Sequence, residues 1–276
     1  AAYPDVWPGH GYPPTLNVPG LSGTIVHLAV EKITRALVAA GCASVREATA
    51  TRVMRDIGGF TSIIESSIED TQAKIFDNPR IQDLLDLTLS TLRSKIPQMR
   101  TQVQHLVGRI RLTHGPAGGP THSDTSHEPH VGRAGLPPGT YSELRVRAPA
   151  LNWKGYIDLL TLSDEVCEIL DFKTGQPKDQ HHFQLYVYSL LWLRDTNLNQ
   201  AGRLANSLRI VYPQKDVELE APSLGELEGI EEDLVKRTSV ARKSLSKISP
   251  DARPSPDNCR TCSVRHLCDD YWRIET

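Results

Sequence analysis

Residues 155–175 read GYIDLLTLSDEVCEILDFKTG, and two strands joined by a short turn account for the whole stretch. Gly155 to Leu162 has strand composition, Ser163-Asp164-Glu165 supplies the turn, and Val166 to Lys173 forms the return strand. Side chains alternate faces along a strand. Cys167, Ile169, Asp171 and Lys173 therefore share one face of the return strand, and Val166, Glu168, Leu170 and Phe172 the other. In the first strand Tyr156, Asp158 and Leu160 share a face. Closing the hairpin at residues 163–165 sets Asp158 beside Asp171. The pattern predicts two carboxylates and one ammonium at the end of an otherwise apolar hairpin.

Such a group needs a reason, because an unpaired buried charge costs several kcal/mol. A divalent cation supplies one. Mg²⁺ takes one or two carboxylates and leaves its other positions to water and phosphate oxygens, and it polarises a phosphate while lowering the pKa of a bound water. Lys173 is placed to hold or help deprotonate that water and to offset transition-state charge. A plainer reading makes Asp171 and Lys173 a strand-end ion pair and Asp158 a turn residue. Asp-x-Lys alone is common; Gly155-x-x-Asp158 followed by Asp171-x-Lys173 on paired apolar strands is much rarer.

Downstream, residues 180–194 read as a helix with Gln184 and Tyr188 on one face, beside a stripe of Leu185, Leu190, Leu191 and Trp192. Leu208 to Tyr212 reads as a strand, and residues 223–246 as a long charged helix. Upstream, Glu143 to Ala148 reads as a strand. Residues 114–139 are dense in Gly, Pro, Ser and Thr and are predicted to be a disordered insert whose four His are solvated. Residues 101–112 are predicted as a strand from the alternation of Val103, His105, Val107 and Arg109. Helices are predicted over residues 44–56, 61–76 and 80–95, and from Leu21 to a stop at Gly41, with Ser22 as the N-cap. His27 lies on that first helix one residue from its apolar stripe, where a packed core histidine is the commoner occupant than a ligand. Residues 1–20 read as an extended lead-in, residues 21–249 as one α/β domain with a mixed sheet flanked by helices, and residues 250–276 as a linker and Cys-rich segment.

The formal charge of −2 over 276 residues argues against a protein that only coats nucleic acid, and is neutral for an enzyme whose carboxylates offset its cations. No run is long and apolar enough to span a bilayer and no signal peptide is visible, so no membrane role is expected. The five cysteines are Cys42, Cys167, Cys259, Cys262 and Cys268. An odd number with three crowded near the C-terminal end fits a metal or cluster site in a reducing cytoplasm better than a disulfide framework. Thiolates at the spacing Cys259-x2-Cys262-x5-Cys268 bind Zn²⁺ or an iron–sulfur cluster, and His266 is placed to complete a zinc site.

The order Gly23-x-x-x-His27, Glu143, Gly155-x-x-Asp158, Asp171-x-Lys173-Thr174-Gly175 and Gln184-x-x-x-Tyr188 resembles the RecB-like branch of the PD-(D/E)XK nuclease superfamily, from Leu21 to Tyr271. The resemblance implies a restriction-endonuclease-like core and Mg²⁺- or Mn²⁺-dependent hydrolysis of DNA. It implies that His27, Asp158, Asp171 and the backbone carbonyl of Phe172 bind the metal. It makes Lys173 catalytic, has Gln184 and Tyr188 place the substrate or Lys173, and leaves Glu143 as an accessory acid. It also implies an exonuclease in repair, recombination or defence, acting on DNA that is single-stranded or has ends, with a possible helicase partner. The alternative is a catalytically silent DNA-binding or scaffold domain. The cysteine segment is similar to the tail of iron–sulfur members of that branch (AddB, exonuclease V and the CRISPR adaptation nucleases), which implies a 4Fe-4S cluster. The upstream fourth Cys of those proteins has no counterpart in residues 1–26; the missing initial Met leads us to expect a truncated N-terminus.

Overall fold

The computed structural model describes residues 12–15, 17–113, 135–247, 252 and 254–274. Helix α1, Val18–Ala39, starts three residues before the sequence reading placed it. Its cap is Asn17, whose side chain accepts from Gly20 N–H at 2.6 Å, and Pro19 sits in the first turn, where a missing N–H costs nothing. Ile25, Ala29, Ile33 and Leu37 recur at helical spacing and are fully buried. Around this axis pack α2 (Ala48–Asp56), α3 (Gly59–Ile75), α4 (Leu85–Ser94) and α5 (Ile96–Val107).

Helix α5 replaces the strand expected over residues 101–112. Val103 and Val107 stand four apart, a spacing that both periods satisfy. The decisive residue is Leu106, three after Val103, which is buried with them and fits only a helix. Pro97 in the first turn marks the start.

The sheet runs β1 (Gly139–Ala148), β2 (Trp153–Leu162), β3 (Cys167–Phe172), β4 (Ser207–Val211), β5 (Asp216–Leu219), in that spatial order. Neighbouring pairs are antiparallel except β3 and β4, which are parallel and joined through helix α6, Asp179–Arg194. The edge strand β5 is short, and the sequence reading passed over it. Leu159, Leu170, Phe172 and Val211 meet α1, α3 and α5 on one face. Ile157, Leu160, Ile169 and Ile210 meet Leu185, Leu191 and Trp192 of α6 on the other. Helix α7, Leu224–Leu245, closes the outer layer over α6 and begins with a capping box of Ser223 and Glu226.

The insert expected over residues 114–139 falls outside the described residues for 114–134. Its last five residues are built into the fold. Leu136 N–H donates to the Leu198 carbonyl at 2.8 Å, and the Tyr141 hydroxyl donates to the Pro137 carbonyl at 2.7 Å.

The linker before the cysteine segment lies partly outside the described residues. Beyond it, α8 (Pro256–Thr261) carries Cys259, and α9 (Asp269–Ile274) follows Cys268. This tail meets the N-terminal segment. The Tyr12 hydroxyl lies 2.6 Å from His266 Nε2, and Arg80 Nη1 donates to the carbonyls of both Pro13 and Ser263 at 3.1 Å.

Candidate active site

Strands β2 and β3 pair from Leu162↔Cys167 to Leu159↔Leu170 and no further. Beyond that point Asp158 takes over with its side chain: Oδ2 accepts the Phe172 N–H at 2.6 Å. On the other edge of β2, Glu143 of β1 faces Asp158 with a left-handed φ of 50°, and neither residue belongs to the paired register. An L-residue in that region carries strain and re-aims its side chain. Alternation slips here: Ile157 and Leu160, three apart, pack on the α6 face, while Leu159 between them packs on the α1 face. The single shared face expected for Tyr156, Asp158 and Leu160 is thus broken at Asp158.

The slip gathers the carboxylates with α1. His27 Nδ1 lies 3.7 Å from Asp158 Oδ2. One ligand atom each from His27, Glu143 and Asp158 all fall within 4.8 Å of one another. The cleft over them holds about 500 Å³ and is also lined by Glu31, Tyr156 and Tyr188. Glu31 stands one helical turn after His27, a spacing that puts both on one face of α1; the sequence reading missed it.

Asp171 and Lys173 lie toward α6. Lys173 Nζ is 2.6 Å from the buried Asp171 Oδ2, a close ion pair. The same ammonium donates to Gln184 Oε1 at 2.8 Å, and Gln184 Nε2 donates to the Tyr188 hydroxyl at 2.7 Å. The four-residue spacing of Gln184 and Tyr188 is what lets one chain of hydrogen bonds hold the lysine. Asp171 is the sequence-expected ligand that stands apart from the His27–Glu143–Asp158 group, while Glu143, read as accessory, is in it.

Two glycines make room for this arrangement. A Cβ on Gly155 would lie 2.9 Å from Leu191 Cδ1 and 3.1 Å from the Tyr188 ring, and one on Gly23 would lie 3.1 Å from Thr174 Oγ1. Gly155→Ala is therefore expected to push Tyr188 off Gln184 and loosen Lys173. The expected loss is about tenfold in kcat on a phosphodiester substrate, below the roughly 10²-fold of a removed acid–base or positioning group because Lys173 itself remains. Tyr188→Phe should lose a similar amount, and the double variant no more than either single one; additive losses would show that the two act separately.

The electrostatics show a deficit of positive charge. Burial pushes the Asp158 carboxyl well above the usual range, and Asp171 and Glu143 add to the shift; the Phe172 N–H and Lys173 only partly oppose it. Burial also raises Asp171, against the pull of Lys173. Glu143 is pushed up to about 7 by burial first and then by Glu31. The His27 imidazole is held down to about 4 by burial and by the charge of Lys173, so it is neutral with its lone pair free near pH 7. A divalent cation fits this set: two carboxylates and a neutral imidazole converge within 4.8 Å of one another.

The cysteines divide into two kinds. Cys42 and Cys167 are buried in the two cores. Cys259, Cys262 and Cys268 are half-buried free thiols in the tail. Among the described residues these three are not drawn together within 4.8 Å, whereas zinc bonds of about 2.3 Å hold tetrahedral sulfurs closer than that. His266, the residue expected to complete a zinc site, is engaged with Tyr12.

No helix among the described residues is long and apolar enough to cross a membrane. A family model described as the PD-(D/E)XK nuclease superfamily matches residues 11–269. No curated protein matches the chain.

Proposed function

We propose, on the premise that this chain belongs to the PD-(D/E)XK nuclease superfamily, that it hydrolyses DNA phosphodiester bonds with Mg²⁺ or Mn²⁺ at the splayed end of β2 and β3. The observation that carries this reading is the convergence of His27, Glu143 and Asp158 beside the Asp171–Lys173 pair. His27, Glu143 and Asp158 would hold the metal, with Asp171 and the Phe172 carbonyl available to complete the set. The bound metal supplies Lewis acidity toward a phosphate oxygen and activation of water. Lys173, fixed between Asp171 and Gln184, offsets the charge that develops on the phosphate and orients the attacking water. Tyr188 keeps Gln184, and through it the lysine, in place.

The resemblance of the motif order to RecB-like members supports DNA with free ends as substrate. It also supports exonuclease action in the cytoplasm, beside a helicase, in repair, recombination or defence. A silent scaffold domain would have no need to retain Asp158, Asp171 and Lys173 together, and all three are present. The tail thiols would hold a 4Fe-4S cluster, which needs a ligand beyond Cys259, Cys262 and Cys268. A visible band near ~400 nm with matching iron and sulfide supports that assignment, and zinc without iron removes it.

The test is cleavage of end-labelled linear and closed circular DNA, single- and double-stranded, with Mg²⁺, Mn²⁺ or chelator. Metal-dependent loss of linear DNA with circles intact is expected. Equal cutting of circles removes the need for ends; no cutting of any form removes the nuclease reading.

The raised carboxylates set a pH dependence. Below about pH 7 Glu143 holds a proton that the metal must displace, and the raised Asp158 and Asp171 carboxyls add to this, so Mn²⁺ affinity should climb, by up to tenfold per pH unit per proton, as pH rises toward and through about 7. His27, neutral above about pH 4, adds no slope there. Calorimetric titration with Mn²⁺ checks this, and Glu143→Gln should make the climb shallower, since one of the displaced protons is gone.

A further inference from the structure

Beside the candidate site lies a larger cleft, of about 750 Å³, between α5 and the turn joining β4 to β5. We propose that this cleft binds the sugar–phosphate backbone of the DNA strand whose scissile bond is held at Lys173. The inference rests on the nuclease reading and names where that substrate's flanking phosphates go.

The lining contains Arg46, His105 and Arg109 and no Asp or Glu. Around the two arginines and the imidazole stand glutamine amides, including Gln98 and Gln102, which share one stripe of α5 with His105 at spacings of four and three, and Gln214 from the opposite wall. Donors without carboxylates suit an anion, and amides can also meet sugar oxygens without regard to sequence.

Two of the cations differ in what they can offer. Arg109 is fixed: its Nη1 donates to the Tyr212 carbonyl at 2.6 Å and to Asp216 at 2.8 Å. Its charge is largely answered there, and it shapes the wall. Arg46 is exposed and has no ion-pair partner among the described residues, so its guanidinium is available to a phosphate.

One wall of the cleft is joined through the chain to the catalytic edge of the sheet. Lys173 N–H donates to the Val211 carbonyl, and the chain then passes through Tyr212 directly into Pro213 and Gln214 of the cleft wall. Three residues span at most about 10 Å from Val211, so the wall lies within reach of phosphates a few nucleotides along the strand from one held at Lys173. Tyr212 ties this junction to α6 through its hydroxyl, 2.8 Å from His181 Nδ1.

The experiment is fluorescence anisotropy of a fluorescein-labelled oligothymidine with no divalent ion present, between roughly 50 and 200 mM salt. Arg46→Ala should bind about fivefold more weakly and Arg46→Glu more than tenfold. The slope of log affinity against log salt should fall by about 0.7 for the alanine, one lost single-strand phosphate contact. Arg242→Glu on α7, behind the opposite face of the sheet, should bind as the wild type does. Wild-type binding and slope in Arg46→Glu, equal losses in Arg242→Glu, or no binding by the wild type would each overturn the proposal. Cleavage plays no part in this assay, so a wild type that binds through Arg46 and does not cut would remove the nuclease reading alone.

Discussion

Without metal, Asp158→Asn should melt higher than the wild type, and added Mn²⁺ should no longer raise its melting temperature. Asparagine keeps an oxygen to accept the Phe172 N–H, so the splayed junction of β2 and β3 retains its shape. It removes one of three carboxylates held in a desolvated group that Lys173 only partly neutralises. The gain in the apo protein should be on the order of 1 kcal/mol, roughly 2–4 °C at this length. Its pH dependence has a definite sign. Asp158 has a folded pKa raised above its unfolded value. Its full stability is therefore present below the unfolded value, and it is lost as pH rises through the folded one. The advantage of the asparagine should therefore be small near pH 4 and grow as pH rises. Mn²⁺ affinity should fall by at least about 100-fold, beyond the loss seen when an outer partner of a ligand is removed. Thermal melts with and without Mn²⁺ at two pH values measure both effects, and a variant that is less stable and still responds to Mn²⁺ would contradict them.

Arg209→Ala should cost about 3–5 kcal/mol, because it leaves a buried carboxylate without its partner. Arg209 is 1% exposed on the α5 side of β4. Its guanidinium reaches Glu168 of β3 at 3.2 Å, Asp216 of β5 at 3.2 Å and the Arg109 carbonyl after α5 at 2.9 Å. One side chain thus joins three strands and the end of a helix. Glu168 is 3% exposed and keeps only Ser207 and the outlying Arg111 once Arg209 is gone. The melting temperature should fall on the order of 10 °C, at roughly 2–4 °C per kcal/mol. Glu168→Met/Arg209→Met, which removes both charges and keeps volume, should recover most of the loss. A double variant as unstable as Arg209→Ala would show that the cost lies in packing or in the Arg109 carbonyl rather than in the stranded charge.

Much of the site was legible because it depends on local periods. The hairpin follows from alternation and a turn, and the shared face of Gln184 and Tyr188 from a spacing of four on a helix; their link to Lys173 came from the family resemblance alone. What escaped depended on departures from period. The slip at Asp158 requires Glu143 to take a left-handed backbone that no glycine announces. It is this slip that turns Glu143 toward His27 while Asp171 stays with Lys173. Helix α5 was misread because Val103 and Val107 fit either period, and only burial of Leu106 separates them. The true cap of α1 was visible in Asn17 followed by Pro19, but Ser22 lies closer to the apolar stripe and drew the reading inward. The cleft beside α5 joins residues far apart in sequence and has no linear signature at all.

The claim that Lys173 performs chemistry at a metal site, rather than closing a strand-end ion pair, is tested most directly by single-turnover cleavage of linear DNA by Lys173→Ala in Mn²⁺, with Mn²⁺ affinity measured on the same protein. The expected result is a rate about 10²–10³ lower than the wild type, with Mn²⁺ affinity within about threefold, since His27, Glu143 and Asp158 remain in place. Cleavage by Lys173→Ala at the wild-type rate, or cleavage by the wild type that chelator leaves unchanged, would contradict it.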